Sequence, residues 1–230
     1  MASIKFGAGI VGMAGKIAGT VFARNRSGAY ARAWAKPVNN RTERQVAVRA
    51  LAATLGAMWA ALSEAQRAAW NLYASDVTMV NRLGEAMNLS GFNQYYRSNA
   101  ARLNAGLAAI EDGPTVMNLA EEDPSLAITV TAATNTVSVA FDNTYPWANE
   151  DGGAMLIYVG EPQNANVQFF NGPWRYAGKI EGATAAPPES PATFTEHFAI
   201  GVGQKVFTQA RISRADGRLS SKFRANAIAS

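Results

Sequence analysis

The sequence predicts an α+β protein in which an N-terminal extended arm with a β-hairpin, and then a small helical bundle, precede an antiparallel β-sandwich. Three observations support this fold class. The first fifty residues are basic and rich in glycine and alanine, apolar residues then recur at helical spacing to about residue 110, and from Leu126 they alternate with polar ones. These changes place domains at residues 1–38, 39–120 and 125–230, the last of immunoglobulin or fibronectin type III character.

The arm has an unusual charge: its first fifty residues carry nine basic side chains against one acid, Glu43. Such a segment repels itself and has few large apolar residues, so it cannot form its own core and should become ordered on another surface. The remainder differs, since residues 51–204 hold six basic and fifteen acidic side chains. Basic ends of one copy could therefore seat on acidic faces of the next.

A β-hairpin is expected where residues 20–25 and 29–34 flank a turn at residues 26–28. Alternation along a strand would place Val21 and Ala23 on one face. The other face would carry Phe22, Arg24, Tyr30 and Arg32. Because an isolated hairpin is marginally stable in water, it needs a surface to lie on.

Two helices should follow, joined at Ser63. Asn40 or Thr42 can cap the first, which runs to about Leu62. Ser63 and Gln66 form a capping-box pattern that opens the second, which runs to about residue 74. The apolar stripe of the first helix recurs at intervals of three and four residues and consists of Val48, Leu51, Leu55, Met58 and Leu62.

A third helix completes the predicted bundle and should close at residues 112–114. Its apolar residues are Phe92, Tyr96, Leu103, Leu107 and Ile110. Trp59 and Trp70 should pack near the joint of the first two helices. An acidic, solvated linker at residues 121–124 would then lead into the β-domain.

Eight short segments with alternating or continuous apolar residues are strand candidates, separated by Asn, Gly and Pro turns. They are residues 127–133, 136–142, 154–160, 167–170, 174–180, 193–200, 205–214 and 219–228. Asp216 and Gly217 give the sharpest hairpin signal. Residues 183–191, with three prolines, are expected to form a long exposed loop.

Enzyme chemistry has little basis in this composition. There is no cysteine, and His197 is the only histidine, so neither a histidine-based triad nor a thiolate or His-based metal site can be assembled. Gly7, Gly9 and Gly12 match a dinucleotide fingerprint by letters, but no strand precedes them and the first acid is Glu43. We therefore predict no enzymatic activity, no cofactor and no metal.

The remaining functional pattern is a set of basic residues interleaved with aromatic ones in the arm. It comprises Phe22, Arg24, Arg26, Tyr30, Arg32, Trp34, Lys36, Arg41 and Arg44. These side chains could track a phosphate backbone and stack on bases. They could equally lie in a groove between protein subunits, which we favour because residues 51–204 supply an acidic counter-surface.

A second basic group lies on the last two predicted strands and comprises Lys205, Arg211, Arg214, Arg218, Lys222 and Arg224. These residues either protect an exposed strand edge from aggregation or bind a partner. Trp147, Trp174 and Tyr176 are expected in the sandwich core, with stacking on a glycan as the alternative. No stretch reaches the roughly 18 continuous apolar residues of a membrane span, so no membrane partner is expected.

Four stretches resemble a group of largely uncharacterised proteins of tailed phages and prophages. They are residues 15–32, 36–42, 63–71 and 89–95. The proteins of that group read as a basic Gly-rich hairpin, a helix pair and a C-terminal β-domain. The resemblance covers about residues 15–105 and implies a virion structural part made in the bacterial host cytoplasm. No catalytic residues follow from it.

These observations together lead to one expectation and three alternatives. The expectation is a non-enzymatic virion structural protein of a tailed bacteriophage, capsid-associated as a decoration, cement or minor capsid protein and anchored through its basic arm. Its partners would be major capsid or tail subunits and copies of itself, with packaged DNA as a further contact. The alternatives are a tail or head–tail connector component, a nucleic-acid-binding protein that uses the arm, and a carbohydrate-binding sandwich.

Overall fold

A computed structural model describes residues 2–7, 9–25, 28–81 and 83–230. Within these ranges the chain forms three helices and 13 strands in four antiparallel sheets, which confirms the α+β class. The elements in chain order are β1 (Ala2–Ile4), β2 (Gly15–Ile17), β3 (Thr20–Asn25), β4 (Gly28–Ala33), α1 (Glu43–Ala61), α2 (Glu64–Asp76), β5 (Thr78–Val80), β6 (Ala86–Asn88), α3 (Gly91–Asn104), β7 (Ala127–Thr131), β8 (Thr136–Ala140), β9 (Ala154–Gly160), β10 (Trp174–Glu181), β11 (Ala192–Thr195), β12 (Lys205–Ser213) and β13 (Phe223–Ile228).

The first two helices begin where their caps predict. Thr42 accepts a hydrogen bond from the backbone N–H of Gln45 at 3.3 Å and starts α1. Ser63 starts α2 with the complete capping box, since Ser63 Oγ accepts from the N–H of Gln66 and Gln66 Oε1 accepts from the N–H of Ser63. Each cap satisfies backbone donors that a helix leaves free at its first turn.

The third helix is shorter than the sequence predicts and ends at Asn104. Gly106 follows in the left-handed conformation, with φ of 70°. The N–H of Gly106 donates to the carbonyl of Leu103, and that of Leu107 to the carbonyl of Arg102, which is the Schellman arrangement. Leu107 and Ile110 therefore lie in an irregular segment, and Asn99 holds Ile110 there through two side-chain hydrogen bonds to its backbone.

Side chains from all three helices pack into one apolar cluster. Its buried members are Leu55, Leu62, Trp70, Tyr73, Val77 and Tyr95. Trp59 and Trp70 both contact the Tyr95 ring, at centroid distances of 5.3 and 5.5 Å, which confirms that they pack near the helix joint. The expected place of Val48 in the stripe is wrong, because Val48 is 45% exposed and lies outside this cluster.

The C-terminal part consists of a three-stranded sheet in the order β11-β8-β7 and a four-stranded sheet in the order β10-β9-β12-β13. Both sheets contribute to a second apolar cluster, whose largest fully buried side chain is Trp147. The predicted turn at Asp216 and Gly217 is confirmed, with the N–H of Arg214 donating to the carbonyl of Arg218 across it. The loop at residues 183–191 is largely exposed, as expected.

Three predictions for this region are wrong. The strand predicted at residues 193–200 ends at Thr195, because the Asn135 side chain binds the backbone of Glu196 and Ile200 beyond it. Residues 167–170 form no strand, because Phe170 instead covers Gly160 and stacks on Phe207 at 5.7 Å between ring centroids. The acidic linker is not fully solvated, since Asp123 is 1% exposed and its carboxylate accepts hydrogen bonds from the N–H groups of Ser125 and Asp142. Asp123 thus fixes the entry into β7.

Helix α3 lies on the outer face of the four-stranded sheet. Ala101 and Ala105 on the helix and Ala154, Leu156 and Leu219 on the sheet side form a third buried cluster. Small residues on the helix allow this close approach. The contact ties the helical cluster to the β-sheets, and it covers only part of the outer face.

Arg102 of α3 reinforces this contact from a position that is 4% exposed. Its guanidinium donates to the carbonyls of Ala108, Gly152 and Arg214 and to Ser213 Oγ, at 2.8 to 3.2 Å. Burial lowers the pKa of Arg102, and the charge of Glu150 opposes that shift. The side chain therefore joins the helix to the end of the sheet where β9 begins and β12 ends.

None of the three helices is by itself long and apolar enough to cross a membrane, within the ranges that the structure describes. Helices α1 and α2 reach the length and apolar content of a membrane span only when taken together, and the chain bends by 114° between them.

Replacing Arg102 with Met should lower the free energy of unfolding by about 2–3 kcal/mol, because hydrogen bonds from a charged group to buried acceptors are lost while the side-chain volume is kept. Urea unfolding of the purified chain measures this. Arg67→Met on the partly exposed surface of α2 is the matched control and should change the free energy by less than about 0.5 kcal/mol. Equal effects of the two substitutions would show that Arg102 does not hold α3 to the sheet.

Candidate functional site

The arm forms a four-stranded antiparallel sheet in the order β1-β4-β3-β2. The predicted hairpin is its centre, formed by β3 and β4. The added strands β1 and β2 come from the Gly-rich lead, in which the sequence shows no strand period. The N–H of Trp34 donates to the carbonyl of Gly19 at 2.7 Å and closes the end of the sheet beside β2.

The pairing register corrects the predicted faces of the hairpin. Tyr30 lies opposite Ala23, and Arg32 lies opposite Val21, so Tyr30 and Arg32 share a face with these small residues. Phe22 lies opposite Ala31, so Phe22 and Arg24 are on the other face. The expected turn of three residues would have paired Asn25 with Ala29, whereas Asn25 pairs with Gly28. A shift of one residue moves every side chain of a strand to the opposite face.

Both faces of this sheet therefore combine cations with apolar side chains. Lys16 lies opposite Val21, on the face with Tyr30 and Arg32, and its ammonium is 4.1 Å from the centroid of the Trp34 ring. The other face carries a cavity of about 220 Å³, whose lining residues are Ile4, Phe6, Val11, Gly12, Met13, Arg24, Gly28 and Ala29.

None of the first fifty residues is buried, among those that the structure describes. The sheet is tied to the rest of the chain by an ion pair between Lys5 and Glu85 and by the connection through residues 34–42. Large apolar side chains of this segment are left in water, namely Ile10, Val11, Ile17, Trp34, Val38, Val46 and Val48. Contiguous exposed apolar patches are typical of interaction surfaces in soluble proteins.

The predicted arm residues fall into three places. Phe22, Arg24, Tyr30 and Arg32 lie on the sheet, with Trp34 at its end, while Arg26 lies outside the described residues. Lys36 and Arg41 are exposed in the connection, where Arg41 has a φ of 47° in the left-handed region. Arg44, in the first turn of α1, is separate from the sheet and donates to Asn104 Oδ1 at 2.8 Å.

Arg44 belongs to a cleft of about 600 Å³ between the start of α1, the end of α3 and the edge of the C-terminal sheets. The lining residues are Arg44, Asn104, Pro173, Trp174, Arg175, Tyr176, His197 and Phe198. The Arg175 guanidinium lies 5.8 Å from the centroid of the Phe198 ring, and His197 Nε2 is 3.3 Å from the carbonyl oxygen of Tyr176. Two arginines and no carboxylate in the lining favour an anionic ligand.

Glu196 lies next to this cleft but points away from solvent and is 7% exposed. Its Oε1 has no hydrogen-bond partner among the described residues. Burial raises the pKa of Glu196 to about 6, and the neighbouring His197 partly opposes the shift. A carboxyl in such surroundings is stabilised in its neutral form.

The three aromatic residues considered for glycan stacking lie in two different places. Trp147 is 1% exposed in the β-sheet core, as expected, and is not available to a ligand. Trp174 and Tyr176 line the cleft instead of the core. The Trp174 and Phe170 rings are nearly perpendicular, with 5.1 Å between their centroids, and the Arg224 guanidinium lies 5.2 Å from the Trp174 centroid.

Within the described ranges, no group of three or more His, Asp or Glu side chains is placed to hold a metal ion. The arrangements that the structure does form are cationic and aromatic. They suit binding of anions or of acidic surfaces by charge and stacking.

Comparison with known proteins assigns no function, so the cationic and aromatic arrangements described above are the basis for one. No protein-family model matches the sequence, and no curated protein matches it.

Sequence reasoning did not find Arg175, His197 and Phe198 as members of one cleft. They come from different segments that meet only through the antiparallel sheets, and no local spacing signals the meeting. The alternation of Trp174, Tyr176 and Arg175 along one strand is the one signal that was present.

Glu196→Gln should change the pH dependence of stability. A carboxyl whose pKa is higher in the folded than in the unfolded chain stabilises the fold below the unfolded pKa, and this contribution is lost as the pH rises through about 6. Glutamine stays neutral, so the free energy of unfolding of the variant relative to wild type should improve by up to about 2 kcal/mol between pH 4 and pH 8.

Urea unfolding at pH 4, 5, 6, 7 and 8 measures this difference. Glu189→Gln in the exposed loop is the control and should show no comparable trend. A constant difference across the series for Glu196→Gln would contradict a raised pKa at this site.

Proposed function

We propose that the protein is a non-enzymatic structural component of a tailed-phage virion, associated with the capsid as a decoration, cement or minor capsid protein. Its N-terminal sheet is the anchor that docks in a groove between neighbouring subunits. The observation that carries this proposal is that a sheet of four strands buries no residue in its own chain, among those described. A sheet in this state gains its stability from an external surface.

The chemistry of the anchor favours a protein groove over nucleic acid. Duplex DNA binds through its phosphates and needs cations but few exposed aliphatic side chains. This segment exposes Val11 fully and Ile17, Trp34 and Val38 by more than half. Protein interfaces combine such apolar anchors with arginine.

An acidic counter-surface is present on residues 39–230 of the same chain, which we call the body. Glu111, Asp112, Glu121 and Glu122 are all exposed in the segment between α3 and β7. No ion pair between described residues involves any of these four carboxylates. Copies of the chain could therefore contact one another, arm to body, beside the contact with capsid or tail subunits.

The C-terminal part fits a projecting or packing module in this role. We propose that residues 125–230 form a sandwich of immunoglobulin or fibronectin type III character. Two antiparallel sheets of three and four strands that share one apolar cluster support this assignment.

Deleting residues 1–38 should leave the body folded, because the deleted part contributes no buried side chain among its described residues. The melting temperature should stay within about 2 °C of wild type, while incorporation into particles is lost. Quantitative mass spectrometry of purified particles, with the truncated chain produced in place of the wild type, measures incorporation. Unchanged copy number would overturn the proposal.

A pair of point substitutions separates the anchor from a general loss of surface hydrophobicity. Ile17 on β2 and Val202 in a loop of the C-terminal part are 61% and 79% exposed. Ile17→Asp should reduce incorporation at least tenfold, and Val202→Asp should not, since only the first lies in the anchor. Copy number in the same particles also distinguishes placement, because hundreds of copies indicate capsid and six or twelve indicate a tail or connector.

A further inference from the structure

A cluster of cations lies on the outer face of the four-stranded sheet, beside the part that α3 covers. Arg211 lies opposite Leu156 in the register of β12 with β9, so its side chain is on the same face as the α3 contact. Arg97 reaches this face from α3, and Lys222 reaches it from the segment that precedes β13. Three separate elements thus bring three cations together.

Two of these cations are held at one point. Arg97 Nη2 and Arg211 Nη2 both donate to the carbonyl oxygen of Ser220, at 2.8 and 3.2 Å. Arg97 Nη1 also donates to the carbonyl of Leu219 at 2.8 Å. Both guanidiniums are therefore fixed before any ligand arrives, and neither forms its hydrogen bonds to a charged acceptor.

The positive charge of the cluster is not balanced within the described part of the chain. None of the four ion pairs formed there includes Arg97, Arg211 or Lys222. Burial, with repulsion from Arg211, lowers the pKa of Arg97 to about 9, so this side chain still carries its charge at neutral pH. Lys222 has its pKa lowered by burial and then by the charges of Arg211, Arg224 and Arg97.

Partly buried like charges without a counter-ion destabilise a fold, and an anion that binds among them removes that cost. Each guanidinium has five N–H donors, of which the carbonyls take two from Arg97 and two from Arg211. The remaining donors and the exposed Lys222 ammonium suit a group with several acceptor oxygens and more than one negative charge. A phosphate has both properties, whereas a carboxylate carries one charge on two oxygens.

We propose that Arg97, Arg211 and Lys222 form a phosphate-binding site on the outer face of the four-stranded sheet. Free inorganic phosphate and a phosphate of a nucleic-acid backbone share this chemistry. Tyr158 lies opposite Tyr176 on the same face, and the two rings are 5.6 Å apart, so an extended strand would meet aromatic rings next to the site. The site belongs to the body and is independent of the N-terminal anchor.

Thermal unfolding of the full chain in rising inorganic phosphate, at constant ionic strength set with chloride, tests the site. A ligand that binds only the folded state raises the melting temperature, by about 5 °C or more once it is present at 100 times its dissociation constant. Absence of any rise over the chloride reference would overturn the proposal. An equal rise with acetate or with a glutamate-rich peptide would also overturn it, because the site would then not select phosphate.

Variants of Lys222 assign the effect to this cluster with little disturbance of the fold, because this residue keeps substantial contact with water at the edge of the cluster. Lys222→Gln should weaken phosphate binding about tenfold. Lys222→Glu supplies a carboxylate to the two arginines, so it should abolish the phosphate effect and should match or exceed the melting temperature of the wild type without phosphate. Arg67→Gln on α2 makes the same change of charge as Lys222→Gln and should leave the phosphate effect intact. A phosphate response that persists in Lys222→Glu would place the binding elsewhere and overturn the proposal.

Fluorescence anisotropy with a labelled single-stranded oligonucleotide then identifies the source of the phosphate. Binding that inorganic phosphate competes away, and that Lys222→Glu loses, supports the site with a nucleic-acid backbone as its ligand. If the oligonucleotide does not bind while the response to inorganic phosphate persists, the result supports the same site with free phosphate as its ligand. The truncation that removes residues 1–38 should retain either response, so failure of the anchor and failure of this site are distinguishable.

Discussion

The contact between α3 and the outer face of the four-stranded sheet determines most of the remaining structure. Ala101 and Ala105 allow the helix to approach the sheet closely, and Arg102 fixes it through four acceptors. Asn104 at the end of the same helix receives Arg44 and so sets one wall of the cleft. Arg97, one turn before Ala101, is thereby placed beside Arg211. The cleft and the cation cluster are both consequences of where this helix lies.

The body buries large apolar side chains within the chain, whereas the arm leaves its own accessible to water. Leu55, Trp70 and Tyr95 are fully buried between the helices, and Trp147 is buried between the sheets. By contrast, the arm pairs its backbone in four strands but buries none of its described residues. Backbone pairing without side-chain burial is marginally stable in water, which is why the arm is expected to complete its structure on a partner.

Local signals predicted the elements that local chemistry determines. Thr42 and Ser63 cap their helices, and the pattern at Asp216 and Gly217 produces its turn, because each depends on residues within a few positions. The face of the N-terminal sheet on which Tyr30 lies could not be predicted in this way. A shift of one residue in the pairing of β3 with β4 moves Tyr30 to the opposite face. The end of α3 depends on Gly106, whose left-handed conformation stops the helix. The helical spacing of apolar residues continues past this point to Ile110 and therefore predicted a longer helix. The cleft combines Arg44 with Arg175 and His197, and only the complete fold brings these segments together.

The charge partition of the sequence acquires a different meaning in the structure. Residues 51–204 are acidic in sum, yet Arg97 of that range joins Arg211 and Lys222 from the basic C-terminal end on one face of one sheet. The exposed acids Glu121 and Glu122 lie instead in the segment that leads to β7. A sum over the sequence hides this arrangement, because strand register and helix docking bring residues that are far apart in the chain onto one surface. Besides the cleft that contains Arg44 and Arg175, the chain therefore presents two cationic surfaces, the N-terminal sheet with its exposed apolar groups and the cluster of Arg97, Arg211 and Lys222. Their different chemistry suits different partners.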